Sequence, residues 1–262
     1  MAINPILHRL GFVDGERALI LHADDLGMCQ ATVQAFAELV ECGLICSGSV
    51  MVPCPSFPQI AAYCRAHPRI DMGVHLTLTS EFDSYRWGPV STSDPTSGLL
   101  DNEGYFPRWP ERLHGAASPA AIELELLTQI RQALEAGIDV THLDLHMGCL
   151  MHPDLLPLYL RLACETHLPA LVWHPTPWPL WGFDAVAADE AIRRIARYQR
   201  QGQPVFDHLV ELPLDTPQER LAQVHHVFDT LEPGLTLLYF HPAVDTWELR
   251  AITPDWPSRV AD

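Results

Sequence analysis

Residues 18–29 read "ALILHADDLGMC". An apolar run enters His22, passes into the adjacent carboxylates of Asp24 and Asp25, and turns at Gly27. The run reads as a β-strand, and its continuous apolarity indicates a strand covered on both faces. Neighbouring carboxylates repel, and the end of a buried strand solvates them poorly. A bound cation removes both difficulties, so the rest of the chain can be searched for that cation's other ligands.

Working outward, further short apolar runs fall at 46–52, 70–78, 140–146, 169–174, 205–212 and 235–241. Segments with helical period lie between most of them. Val33, Phe36 and Val40 share one face of 30–42, and Ile122, Leu126, Ile130 and Leu134 recur every fourth residue in 119–136. Leu155, Tyr159 and Leu162 mark a helix in 154–165; Leu221, Val224, Phe228 and Leu231 mark one in 216–231. Ser118-Pro119 and Thr216-Pro217 are helix-start signals. Gly43, Gly137 and Gly202 stand where helices would end. Seven alternations predict parallel β/α units, and the placement of polar residues at strand ends favours a (β/α) barrel of seven strands over a doubly wound sheet. The exception is 80–117, a long insertion rich in Gly, Pro and Ser. Its Tyr85, Trp87, Tyr105, Phe106 and Trp109 predict a lid or substrate wall rather than disorder. No repeat or linker divides the chain, so residues 1–262 are expected to form one domain.

Charge narrows the partners. With 33 acidic against 16 basic residues the net charge is −17. That balance speaks against nucleic acid and anionic membrane as ligands. The N-terminal stretch has no signal-peptide pattern, and no apolar run is long enough to span a bilayer. Seven cysteines without a paired CxxC pattern read as reduced thiols of a cytoplasmic protein. The amphipathic pattern also admits a homodimer, with no interface marked.

Four predicted strands bring Asp or His toward their C-terminal ends: Asp24-Asp25, His75, Asp144 with His146, and His241. In a parallel barrel these ends open on one face, where active sites are built. Taken one at a time, each residue has a bland reading, as a helix cap or a hydrogen-bonded buried histidine. Together, Asp25, His75 and His146 form a plausible ligand set for a divalent metal. Asp24 then lies beside the metal as a base toward water, Asp144 is placed to orient a ligand histidine, and His241 is placed as a general acid. His22 and His142 carry less weight in this reading, and His174 is a candidate pocket residue. Cys29 reads as an inert thiol. Phosphate-cradling loops and nucleophilic serine motifs are missing.

In order and spacing, "HADDLGMCQATVQAFAELVECGLICSGSVMV", "DMGVHLTLTSE", "VTHLDLHMG" and "LYFHPAVD" resemble the YdjC-like carbohydrate deacetylases, whose members include chitooligosaccharide deacetylases. The resemblance runs from residue 17 to about 255. It implies a polysaccharide-deacetylase-like (β/α) barrel and a divalent metal held by an Asp and two His. Carried over, these are Asp25, His75 and His146, with Asp24 as base and His241 as acid or oxyanion contact. Zinc suits such a donor set; Mg²⁺, Mn²⁺ and Co²⁺ are the alternatives. Where many relatives have a DxHxHxH run, this chain reads "DLHMGCL", keeping His146 but placing Gly148 and Leu150 at the later positions. Relatives also usually extend about a helix beyond "DWPSRVAD", so packing near that end is expected to be loose.

The implied reaction is hydrolytic N-deacetylation of an acetylated amino sugar or short oligosaccharide, with the insertion's aromatics facing the sugar rings. Two alternatives belong to other classes. One is a metal-dependent phosphoesterase at the same rim, for which Arg86 and Arg108 are the nearby cations. The other is a non-catalytic sugar-binding protein.

Overall fold

A computed structural model of the chain describes residues 4–45, 47–113, 115–174 and 185–262. The opening run forms β1 (Arg17–Leu26), preceded by α1 (Pro5–Arg9) and followed by α2 (Gln30–Glu41). Then come β2 (Ser47–Val50), α3 (Phe57–Ala66) and β3 (Asp71–Leu76). After the insertion the chain continues through α4 (Pro119–Glu135), β4 (Val140–Leu145), α5 (Leu156–Thr166), α6 (Ala185–Arg200) and β5 (His208–Glu211). It finishes with α7 (Arg220–Thr230), β6 (Gly234–Phe240), α8 (Trp247–Ile252) and α9 (Trp256–Ala261).

The strands pair in parallel in the order β4-β3-β2-β1-β6-β5. Among the described residues the regular sheet therefore has six strands, not the expected seven. The run at 169–174 does not enter the ladder. It makes single parallel bridges instead, Leu143 to Ala170 beside one edge strand and Trp173 to Phe206 near the other. Its backbone still finds partners: the amide of Leu171 donates to Leu143, and that of Phe206 donates to Val172. Buried amides are paired in this way even where strand geometry lapses.

Local chemistry accounts for the helices the periodicity predicts. The Ser118 side chain accepts from the amide of Ala121 and caps α4, with Pro119 in the first turn. The face carrying Ile122, Leu126 and Ile130 is buried, whereas Leu134, assigned to the same stripe, is exposed. Gly43, Gly137 and Gly202 all take positive φ after helices, as a helix-ending glycine does. At Thr216 the start is different: its side chain makes no cap bond, and a 3-10 turn, Pro217–Glu219, precedes α7.

The insertion is built from loops and two 3-10 turns, Pro95–Ser97 and Pro110–Arg112. Trp87, Leu99, Phe106 and Leu113 are buried in the main core. The Trp87 indole N–H donates to the carbonyl of Thr79 at 2.7 Å, which gives the buried ring its polar partner. The expected wall of aromatics is thus largely a core plug; Tyr105 and Trp109 face solvent. At the chain end Ser258 and Arg259 of α9 are buried.

Candidate active site

A cavity of about 720 Å³ opens at the C-terminal ends of the strands. Asp24, Asp25, His75, Asp144, His146, His174 and His241 all line it. In parallel α/β folds this is the end at which ligands bind.

Strict alternation along β1 would send Asp24 and Asp25 to opposite faces. Instead the β1–β2 register shifts between Ala23 and Leu26, and Asp25 adopts a left-handed backbone with φ of +58°. Both carboxylates therefore reach one cavity. A left-handed non-glycine residue costs of order 1–3 kcal/mol, and such strain gathers at functional sites. Gly27, at φ +87°, completes the bend; a Cβ there would lie 2.9 Å from Ile60 Cγ2. Met147, beside His146, is also left-handed.

Asp25, His75 and His146 bring one donor atom each to within 4.8 Å of one another. Asp25 Oδ1 is 3.4 Å from His75 Nε2 and 3.1 Å from His146 Nδ1. Ligand atoms bound about 2.1 Å from a shared ion are separated by about these distances. All three residues are buried. The other ring nitrogens are held by carboxylates: His75 Nδ1–H donates to Asp144 Oδ2 at 2.6 Å, and His146 Nε2–H donates to Glu81 Oε2 at 3.1 Å. Carboxylates behind ligand histidines fix the tautomer and raise basicity, so the donor set fits a divalent cation. Asp25 Oδ2 is taken by Arg259, whose Nη1 donates at 2.8 Å.

The charges follow from this geometry. Burial raises the Asp25 carboxyl, but His146, His75 and Arg259 outweigh it and hold it well below the usual range. Burial lowers His75, but Asp144 outweighs it and drives the imidazole well above its ordinary value. His146, against Glu81 and Asp25, is pushed up to about 9. Asp24 goes the other way: burial, then the neighbouring Asp144 charge, raises its carboxyl well above the usual range. Burial also lowers His241 to about 4, leaving it neutral near pH 7.

Several participants were not apparent in the sequence. Glu81 ends the "HLTLTSE" run, and that terminal acid was the available signal. Arg259 had none. His22, given little weight, is buried with its Nε2 3.3 Å from Asp24 Oδ1. From the insertion, Glu81 and Phe82 line the cavity, and Trp173, Phe206 and Tyr239 add aromatic faces among the described residues. Arg86 and Arg108 are not among the lining residues. Arg86 pairs with Asp101 and Glu103, and Arg108 with Asp83.

The fold and this rim define a parallel α/β protein with a buried two-histidine, one-carboxylate centre. Comparison with known proteins makes the assignment narrower. The family described as YdjC-like protein matches residues 18–262, and the chain belongs to that family. A protein of Thermus thermophilus named carbohydrate deacetylase is 38% identical over 257 residues, spanning 98% of this chain and 88% of that one. A carbohydrate deacetylase of Brevibacillus brevis is 34% identical over 151 residues, or 58% of this chain and 57% of its own. The fold also matches the crystal structure of a proposed cellobiose-phosphate cleavage protein of Enterococcus faecalis V583. The TM-score is 0.74 at 21% identity, covering 94% of this chain and 88% of that one.

Proposed function

We propose that this protein is a metal-dependent carbohydrate deacetylase that hydrolyses the N-acetyl group of an amino sugar or short oligosaccharide. The observation that carries the reading is the Asp25/His75/His146 cluster beside a second buried carboxylate, Asp24, in a chain 38% identical to a carbohydrate deacetylase. Asp25 Oδ1, His75 Nε2 and His146 Nδ1 would hold the cation, with zinc the best match to the donors. Bound there, a divalent ion supplies Lewis-acid polarisation of the acetyl carbonyl and acidifies water.

The chain's own groups do the rest. Asp24, whose environment raises its proton affinity, takes the proton as water oxygen bonds to the acetyl carbon. As the C–N bond breaks, His241 delivers a proton to the leaving nitrogen. Its low proton affinity in the free site means that it takes up this proton from solvent only as negative charge builds on the substrate beside it, and Asp24 returns its own proton to solvent as acetate leaves. Phe82, Trp173, Phe206 and Tyr239 offer apolar faces to a sugar. Arg259 is the lone Lys or Arg among the described lining residues, against seven carboxylates. With Arg259 already paired, that lining is hostile to a phosphate, and it weighs against the phosphoesterase alternative.

Among the described residues no helix is long and apolar enough to cross a membrane. The described cysteines are free thiols, which fits our cytoplasmic assignment. The test is acetate release, with and without EDTA, from N-acetylglucosamine and diacetylchitobiose. EDTA-sensitive release is expected. No release by metal-loaded protein from either sugar or from longer N-acetylated oligomers would overturn the reading.

A further inference from the structure

A second group of donors sits next to the first. His22, Asp24 and Asp144 each bring one ligand atom to within 4.8 Å of the others. His22 Nε2 is 3.3 Å from Asp24 Oδ1 and 3.6 Å from Asp144 Oδ2. His22 and Asp24 are 1% and 7% exposed, and neither His22 Nε2 nor Asp24 Oδ1 has a hydrogen-bond partner.

The tautomer of His22 follows from one row across the sheet. His22 is in register with Ser47, and Ser47 with Asp71. Ser47 Oγ–H donates to Asp71 Oδ2 at 2.9 Å. With its proton committed, the Ser47 oxygen is left to accept from His22 Nδ1–H, 3.0 Å away. His22 Nε2 therefore presents a lone pair to two carboxylates. Buried out of water, that lone pair is met either by a proton on Asp24 or by a cation, and the convergence of three donor groups there suits the cation. A histidine whose far nitrogen is held through a serine to an aspartate is oriented as metal-ligand histidines are. The separations of 3.3 and 3.6 Å match the edges between ligands about 2.1 Å from one ion.

The geometry points to a second divalent-cation site, formed by His22, Asp24 and Asp144, beside the Asp25/His75/His146 set. Asp144 couples the two, because it also accepts from His75. A cation held by Asp24 takes that carboxylate away from proton transfer, so filling this site inhibits. This last consequence rests on Asp24 being the base, as proposed above; the site itself does not.

The probe is Co²⁺ added to metal-free full-length protein, with bound equivalents counted by equilibrium dialysis and followed by visible absorption. Two equivalents are expected for the wild type and one for His22→Ala, whose retained equivalent and thermal transition report an intact fold. Ser47→Ala, outside both ligand sets, is expected to weaken the second phase alone by roughly 10–100-fold. A wild-type chain that saturates at one equivalent, or a His22→Ala chain that still binds two, overturns the site. Acetate release is expected to fall as the second phase fills. Two bound equivalents with undiminished release would keep the site and overturn both its inhibitory effect and the assignment of Asp24 as base.

Discussion

Arg259 Nη1 lies 2.8 Å from Asp25 Oδ2, across 234 residues of chain, with both side chains buried. The pair leaves Asp25 Oδ1 facing His75 and His146. Arg259 is itself braced by Asp255, which accepts from its Nε at 2.8 Å. Arg259→Met keeps the side chain's bulk but strands a buried carboxylate. The expected cost is about 3–5 kcal/mol in metal-free protein, read from urea unfolding. A wild-type unfolding midpoint in that variant would show that the pair does not hold the rim together.

Asp24→Asn should retain the Asp25/His75/His146 cation. Its kcat/KM for acetate release should drop by roughly 10²–10⁴-fold, the range for a lost general base. Full turnover in Asp24→Asn would remove Asp24 from the chemistry.

The carboxylates behind the histidines can be tested apart from catalysis. Glu81→Gln disturbs the proton held at His146 Nε2, and metal affinity should weaken by about 10–100-fold. His146→Ala should reduce affinity further, by removing a ligand outright. Competition with a chromophoric chelator measures both; unchanged affinity in either variant would take that residue out of the centre.

Metal uptake should release protons. His146 rests at about 9 in the metal-free protein and must be neutral to ligate. Apparent affinity should therefore climb as pH rises through about 9. Calorimetric enthalpies at pH 7.5 should vary with the ionisation enthalpy of the buffer. The same shift sets a stability trend. The folded value of about 9 lies above the ordinary 6.5, so this contribution is complete below pH 6.5 and is lost as pH rises through 9. Metal-free protein should lose thermal stability over that window, and metal-loaded protein should not. A pH-independent affinity would mean that His146 carries no proton to displace.

Much of the fold was legible because its signals are local. Apolar runs, helical stripes at 30–42 and 119–136, the Ser118 cap and the glycine stops each report a preference carried by a few neighbouring residues. The run at 169–174 had the same composition as a strand yet forms only single bridges, because ladder membership depends on the register offered by neighbours, not on its own sequence. The insertion's aromatics could be recognised as ordering the loop. Which of them would plug the core could not, since Trp87 and Tyr105 differ in what surrounds them.

The candidate ligands divide along the same line. By itself the sequence determined that carboxylates and imidazoles stand at the ends of parallel strands, because a strand's end and its residue types are written in order along the chain. Tertiary structure alone decided how they meet. It put Asp25 into a left-handed turn that brings both aspartates into one cavity, set Glu81 behind His146, and brought Arg259 from the last helix to Asp25. It also set Ser47 between His22 and Asp71, with His22 Nε2 facing Asp24. The reason is physical: proton positions and ligand geometry are set by partners within about 3 Å. Those partners come from segments that sequence distance does not relate.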